Sequence, residues 1–190
     1  MVFGDLLGVL HHPVRTFAAM RDGRPIPVAA GVVIGAGLAA ALLSLLFTLL
    51  EPGTYDVAGL AVSGILPLLF AGIWLIDGYI VDAVAQLMGV RSRLRVWLSV
   101  SAFAIPSLVA FDAIRVVQAI LDRNGATDLS TGVGFAGFLV LAWFLTLIAI
   151  AAAAVYHLSP LSALAAAMAP PAAMAALLVF LLVVFSAAAR

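Results

Sequence analysis

The sequence predicts an all-α, polytopic membrane bundle of five transmembrane helices preceded by an interfacial helix, and three observations carry that prediction. Of 190 residues, 66% are apolar and 9% charged, whereas a soluble domain needs about a quarter of its residues charged to face water. The mean hydropathy is +1.27. Uncharged runs recur at the length of about 20 residues that a helix needs to cross a hydrocarbon layer of about 30 Å. With no water inside that layer, each backbone N–H and C=O must be satisfied within its own segment, which selects helices packed as a bundle.

The elements follow in order. Phe3, Leu6, Leu7, Leu10, Val14 and Phe17 recur at helical steps, with Asp5, His11, His12 and Arg15 elsewhere, so residues 1–27 read as an amphipathic segment lying in the membrane interface. Pro13 divides it. A signal peptide is not expected, since Met1 to Leu10 has no basic start and carries Asp5. The first span runs from about Val28 to Leu50 and stops at Glu51, Pro52 and Gly53. The second begins near Val57 and reaches Ile76 to Val81, with helix continuing toward Met88 before Gly89 ends it. The third covers about Val96 to Leu121, and the polar turn from Asp122 to Gly125 follows. The fourth covers Gly132 to Tyr156 and closes at His157 and Ser159-Pro160. The fifth covers Leu161 to Ala189 as one span bent at Pro170-Pro171, two consecutive residues without a backbone donor. All five belong to a single domain.

Orientation follows from the arginines, because short arginine-rich loops stay cytoplasmic. Arg15, Arg21 and Arg24 precede the first span, and Arg91, Arg93 and Arg95 form a basic loop between the second and third. Glu51 and Asp56 occupy the first return loop, and Asp122, Arg123 and Asp128 make the third return loop net acidic. The expected topology places the N-terminus inside and the C-terminus outside. Every basic residue is Arg, as in a GC-rich genome, which points to a prokaryotic source and its cell membrane.

Composition excludes several functions. Nine basic residues balance nine acidic ones, so no field exists to attract nucleic acid. Without cysteine there is no disulfide, thiolate metal site or thiol nucleophile. His11, His12 and His157 form no His-Glu-x-x-His set, no Gly-x-Ser-x-Gly elbow is present, and the absence of Lys removes the phosphate-loop signature. Asp77-Gly78 resembles the start of the alcohol-phosphotransferase signature, but the Arg and later Asp pair that bind metal there are missing. No catalytic residue, metal or cofactor is expected.

Five spans, the segment His12-Pro13-Val14-Arg15-Thr16-Phe17, and the stretch from Gly89 through Arg91-Ser92-Arg93-Leu94-Arg95 to Ala104-Ile105-Pro106 together resemble the YIP family. These are the Rab-GTPase-interacting membrane proteins of the Golgi and their prokaryotic relatives. The resemblance implies a five-span protein without enzymatic chemistry, tied in eukaryotes to vesicle traffic and membrane shaping. The long hydrophilic N-terminal region and the Asp-Leu-Tyr-Gly-Pro motif of eukaryotic members are not found, so the prokaryotic branch fits better than a Rab-binding role.

Ionisable residues inside a span cost about 2.5–3.5 kcal/mol at the bilayer centre, which makes each a functional candidate. Asp112 and Arg115 lie toward the outer end of the third span, three residues apart on one helix side, where pairing would lower the insertion cost of both. Asp77 and Asp82 lie toward the inner end of the second span. A separation of five residues turns them about 140° apart, a poor arrangement for one shared site. They are placed to meet Arg91, Arg93 or Arg95, or to serve substrate or ion handling. Pro67 and Pro106 fall roughly 13–15 Å into their spans by helical rise. Each frees the carbonyl four residues earlier, Ser63 and Ala102, so both are either packing kinks or backbone openings of the kind carriers use. Gly31, Gly35 and Ala39 in the first span, and Ala149 to Ala154 in the fourth, make small-residue stripes for close helix packing. Trp74, Trp97 and Tyr156 read as belt residues at the membrane boundary.

The reading is thus a non-enzymatic integral membrane protein of YIP type, organising membrane or binding partner proteins as a scaffold. Its partners would be the lipid bilayer, other proteins or further copies of itself. The alternative is a small-solute or ion carrier or channel, opened at Pro67 and Pro106 and lined by Asp77, Asp112 and Arg115.

Overall fold

A computed structural model describes residues 2–50 and 57–188, and among these all regular structure is helical. The chain order is α1 (Val2–His11), α2 (Pro13–Ala19), α3 (Ile26–Leu50), α4 (Val57–Leu87), α5 (Leu94–Ser101), a 3-10 turn (Ile105–Leu108), α6 (Val109–Arg123), α7 (Thr127–Tyr156) and α8 (Pro160–Ala188). Glu51, Pro52, Gly53 and Asp56, expected to turn the first span back, lie outside the described residues, as does Ala189.

Among the described residues, four stretches are long and apolar enough to cross a membrane: Ile26–Leu50, Ser63–Leu87, Thr127–Tyr156 and Pro160–Ser186. The expected third span is instead broken. Leu94–Ser101 and Ile105–Arg123 meet at a bend of 41°, and counting them as one crossing makes five. The break falls at Ala102 to Ala104, ahead of Pro106. Pro106 therefore sits in the first turn of the 3-10 helix, where no intrahelical donor is required of it. Ser107 closes the turn by donating through both its backbone N–H (3.1 Å) and its hydroxyl (2.7 Å) to the Ala104 carbonyl.

Pro67 lies within α4 where that helix crosses α3. A Cβ on Gly37 would stand 2.6 Å from the Pro67 Cα, so the two backbones touch there because residue 37 has no side chain. One turn further along, the Ser63 hydroxyl donates to Ser44 Oγ at 3.1 Å. The small-residue stripe expected at Gly31, Gly35 and Ala39 is not the packing face: Gly31 and Gly35 face open space, whereas Ala29, Val33, Ala36, Gly37 and Ala40 are buried. In the fourth span, Ala151 and Ala152 do lie in the core.

Pro13 starts α2 and separates it from α1, as a residue suited to a first helical turn. The core runs through one half of the bundle. Phe17 and Met20 seal it from below, Trp97, Val100 and Phe103 fill its centre, and Ala163, Ala166 and Ala167 bring the first half of α8 against it. Beyond Pro171 the described side chains of α8 are exposed, so that half of the helix contacts little of its own chain.

Candidate functional site

Polar side chains are scarce in this chain, and the one buried charged side chain among the described residues, Asp82, lies at the end of the bundle where the 91–95 arginines are. Asp82, on the last turns of α4, is 4% exposed and accepts four hydrogen bonds. Oδ2 receives Gln86 Nε2 (2.8 Å) and Ser92 Oγ (2.6 Å); Oδ1 receives the backbone N–H of Arg93 (3.0 Å) and the hydroxyl of Tyr156 (2.6 Å). The carboxylate thereby ties α4, the 91–93 loop and the C-terminal end of α7 together, each lone pair occupied as burial requires. Asp82 meets the basic loop through the backbone of Arg93, not through a guanidinium. The Arg93 side chain goes instead to the Val155 carbonyl (2.5 Å), where a cation also complements the negative end of α7. Arg91 and Arg95 are exposed.

Around this node the aromatic residues are interior, not boundary, groups. Trp74, Trp97 and Tyr156 are at most 6% exposed, which corrects their reading as belt residues. Trp97 and Tyr156 pack with ring centres 5.8 Å apart, and Trp74 Nε1 donates to the Leu98 carbonyl (3.2 Å) and Ser101 Oγ (3.3 Å). Trp97 Nε1 is buried with no protein acceptor. On the same side, Asp5 of α1 pairs with Arg24 in a two-point contact, 3.0 and 3.2 Å, while the Arg24 backbone N–H donates to Ser99 Oγ at 2.9 Å. These bonds fasten the amphipathic N-terminal helices to the bundle.

Asp77 and Asp82 part company, as their angular separation requires. Asp77 is half-buried, meets no hydrogen-bond or ionic partner among the described residues, and lines a cavity between α4, the α5 break, α7 and α8. The cavity also meets Trp97, Ala167, Pro170 and Pro171. Its ≈ 30 Å³ has room for about two waters.

Asp112 and Arg115 lie on α6 at the opposite end, near enough for the guanidinium charge to act on the carboxylate, though they do not close into a contact ion pair. No contact within 4.0 Å joins them; the Arg115 guanidinium lies 4.6 Å from the centre of the Phe47 ring on α3. An exposed arginine on an aromatic face keeps its head free to reach the interface while its stem covers apolar surface. Asp112 lines a separate apolar recess with Phe70, Leu108 and Phe111. The structure thus sets Asp77 apart from Asp112 and Arg115, and leaves Pro67 and Pro106 at helix-packing positions.

Among the described residues no group of three His, Asp or Glu side chains is placed to hold a metal ion. What the sequence reading did not identify is which residues these charged groups meet. Gln86 was legible in principle, four residues after Asp82 on one helix face. Ser92, Tyr156, Arg24 and Asp5 offered no such signal, because their partners are 10 to 75 residues distant in the chain.

No curated protein and no solved structure matches the chain. A family model described as the Yip1 domain matches residues 7–182, a stretch that includes the first four spans, most of the fifth, the 91–95 loop and the Asp82 node. The chain is a membrane protein of the YIP family.

Proposed function

We propose that this protein is a non-enzymatic scaffold that organises the bilayer, and proteins within it, through the face on which α1 and α2 lie. The observation that carries the reading is the way these helices are held. Asp5, Arg24 and Ser99 fix them to the bundle, while Phe3, Leu7, Leu10 and Val14 remain exposed. A rigid apolar ledge at one end of a membrane bundle inserts into a single leaflet and spreads it. The arginines at that end support a cytoplasmic leaflet for it, in a reading with the N-terminus inside, the C-terminus outside and five crossings between them, in the cell membrane of a prokaryote. The Asp77 cavity is small and separate from the Asp112 recess, which supports action through surfaces over action through a path.

Reconstitution into liposomes tests this. The full chain is expected to concentrate on membranes of high curvature, and the triple variant Phe3→Ser/Leu7→Ser/Leu10→Ser to lose that preference while still inserting. Selective solute or proton flux, abolished by Asp77→Asn or Asp112→Asn, would replace the scaffold reading with that of a carrier.

A further inference from the structure

Three residues that line one cavity inside the bundle, Asp77, Trp97 and Ala167, each bear a polar group without an ordinary local partner. The first is the Asp77 carboxylate, which among the described residues neither accepts a hydrogen bond nor meets a cation. The second is the carbonyl of Ala167, a cavity-lining residue 2% exposed. In a helix that carbonyl would accept from residue 171, or from residue 170 in a tighter 3-10 turn. Both are proline and have no N–H to give. Two consecutive prolines thus deprive this carbonyl of both its local donors, where a single proline would leave one. The third is the Trp97 indole N–H, buried with no protein acceptor.

These groups differ in what they ask of a ligand. A carboxylate and a carbonyl both call for positive charge or a donor, and oxygen ligands suit hard cations. One carboxylate neutralises one positive charge, whereas a divalent ion would leave a net charge in a low-dielectric interior. The ≈ 30 Å³ available accommodates about two water-sized bodies, one ion and one water. That water has a ready donor, since the Trp97 N–H cannot ligate a cation but can donate to a water bound beside it. Proline-interrupted helices that offer backbone carbonyls next to an acidic side chain are suited to such ions.

We propose that this cavity is a binding site for a single alkali-metal cation, ligated by the Asp77 carboxylate and the Ala167 carbonyl, with a bound water taking the Trp97 N–H. The ion joins α4 to the first half of α8 and explains why a carboxylate and a doubly stripped carbonyl share one small space. Transport is not required by this site, so the scaffold reading can fail without affecting it.

The test uses the full-length protein in detergent micelles, unfolded by heat in sodium chloride, potassium chloride or N-methyl-D-glucamine chloride at constant ionic strength. Sodium or potassium is expected to raise the midpoint saturably, by roughly 5 °C at a hundredfold excess over Kd, and the organic cation is not. Asp77→Asn should abolish the dependence, and Asp112→Asn should retain it. Pro171→Ala returns a donor to the Ala167 carbonyl, so it should stabilise the cation-free protein and weaken alkali binding about tenfold. Coincident wild-type transitions in all three salts would overturn the proposal. So would an alkali response undiminished in Pro171→Ala, which decides the matter even where Asp77→Asn fails to fold.

Discussion

Asp82 carries more of the structure than any other single side chain, because four donors from three parts of the chain end on its two oxygens. Replacement by alanine leaves the Tyr156 hydroxyl and the Arg93 N–H buried without an acceptor, and is expected to cost about 3–5 kcal/mol. Tyr156→Phe removes one bond to a charged acceptor and should cost about 1.5–3 kcal/mol. The double variant should cost less than the sum of the two, a non-additivity measurable by reversible unfolding in mixed micelles. At the periphery the scale is smaller. The Asp5–Arg24 pair is partly exposed, so Asp5→Asn should change global stability by about 1 kcal/mol or less, yet amide exchange across Val2–His11 should rise markedly. The sequence made Asp77 and Asp82 visible as charges in an apolar run and separated them by angle. It could not reveal that Asp82 would be satisfied by neutral donors, since Ser92 and Tyr156 are common residues whose approach is set by tertiary folding.

At the level of helices, the periodicity and length of the apolar runs were enough to place α3, α4, α7 and α8 within a few residues of their ends. Length could not register the break in the third span. Its apolar composition is continuous through Val100 to Val109, and the chain leaves the α-helix at Ala102, ahead of the proline that marks the region. Contact faces were also hard to read in α3, because a helix apolar on all sides has no periodic signal to orient it. Gly31 and Gly35 look like a packing motif and face open space; Gly37 looks unremarkable and meets the Pro67 backbone. Gly37→Ala should therefore destabilise by about 1–3 kcal/mol, because the neighbour it would strike is main chain. Gly31→Ala should be neutral or slightly stabilising, and thermal unfolding of the two variants side by side distinguishes the faces.

For the whole molecule, the polar groups divide into two ends with different construction. The end bearing Arg24, Asp82, Arg93 and Tyr156 is cross-linked by side-chain hydrogen bonds between distant parts of the chain. Around Asp112 and Arg115 the described contacts are apolar recess and aromatic face. A bundle whose charged side chains are tied into such hydrogen bonds at one end suits a protein whose interactions concentrate at that face. Membrane insertion and the five apolar runs were legible from composition alone, since lipid imposes the length of each run. The location of the pinned end was legible from arginine spacing, whereas the bonds that pin it were not.

The central claim is that the broken helix from Leu94 to Arg123 passes through the bilayer as one of five crossings. Because the chain has no native cysteine, Met88→Cys and Asn124→Cys, one exposed residue from each flanking turn, can each be labelled with a membrane-impermeant thiol reagent in sealed right-side-out vesicles. Residue 124 should react at once and residue 88 only after permeabilisation. Labelling of both from the same side would make the broken helix a re-entrant loop, leave four crossings, and contradict the account.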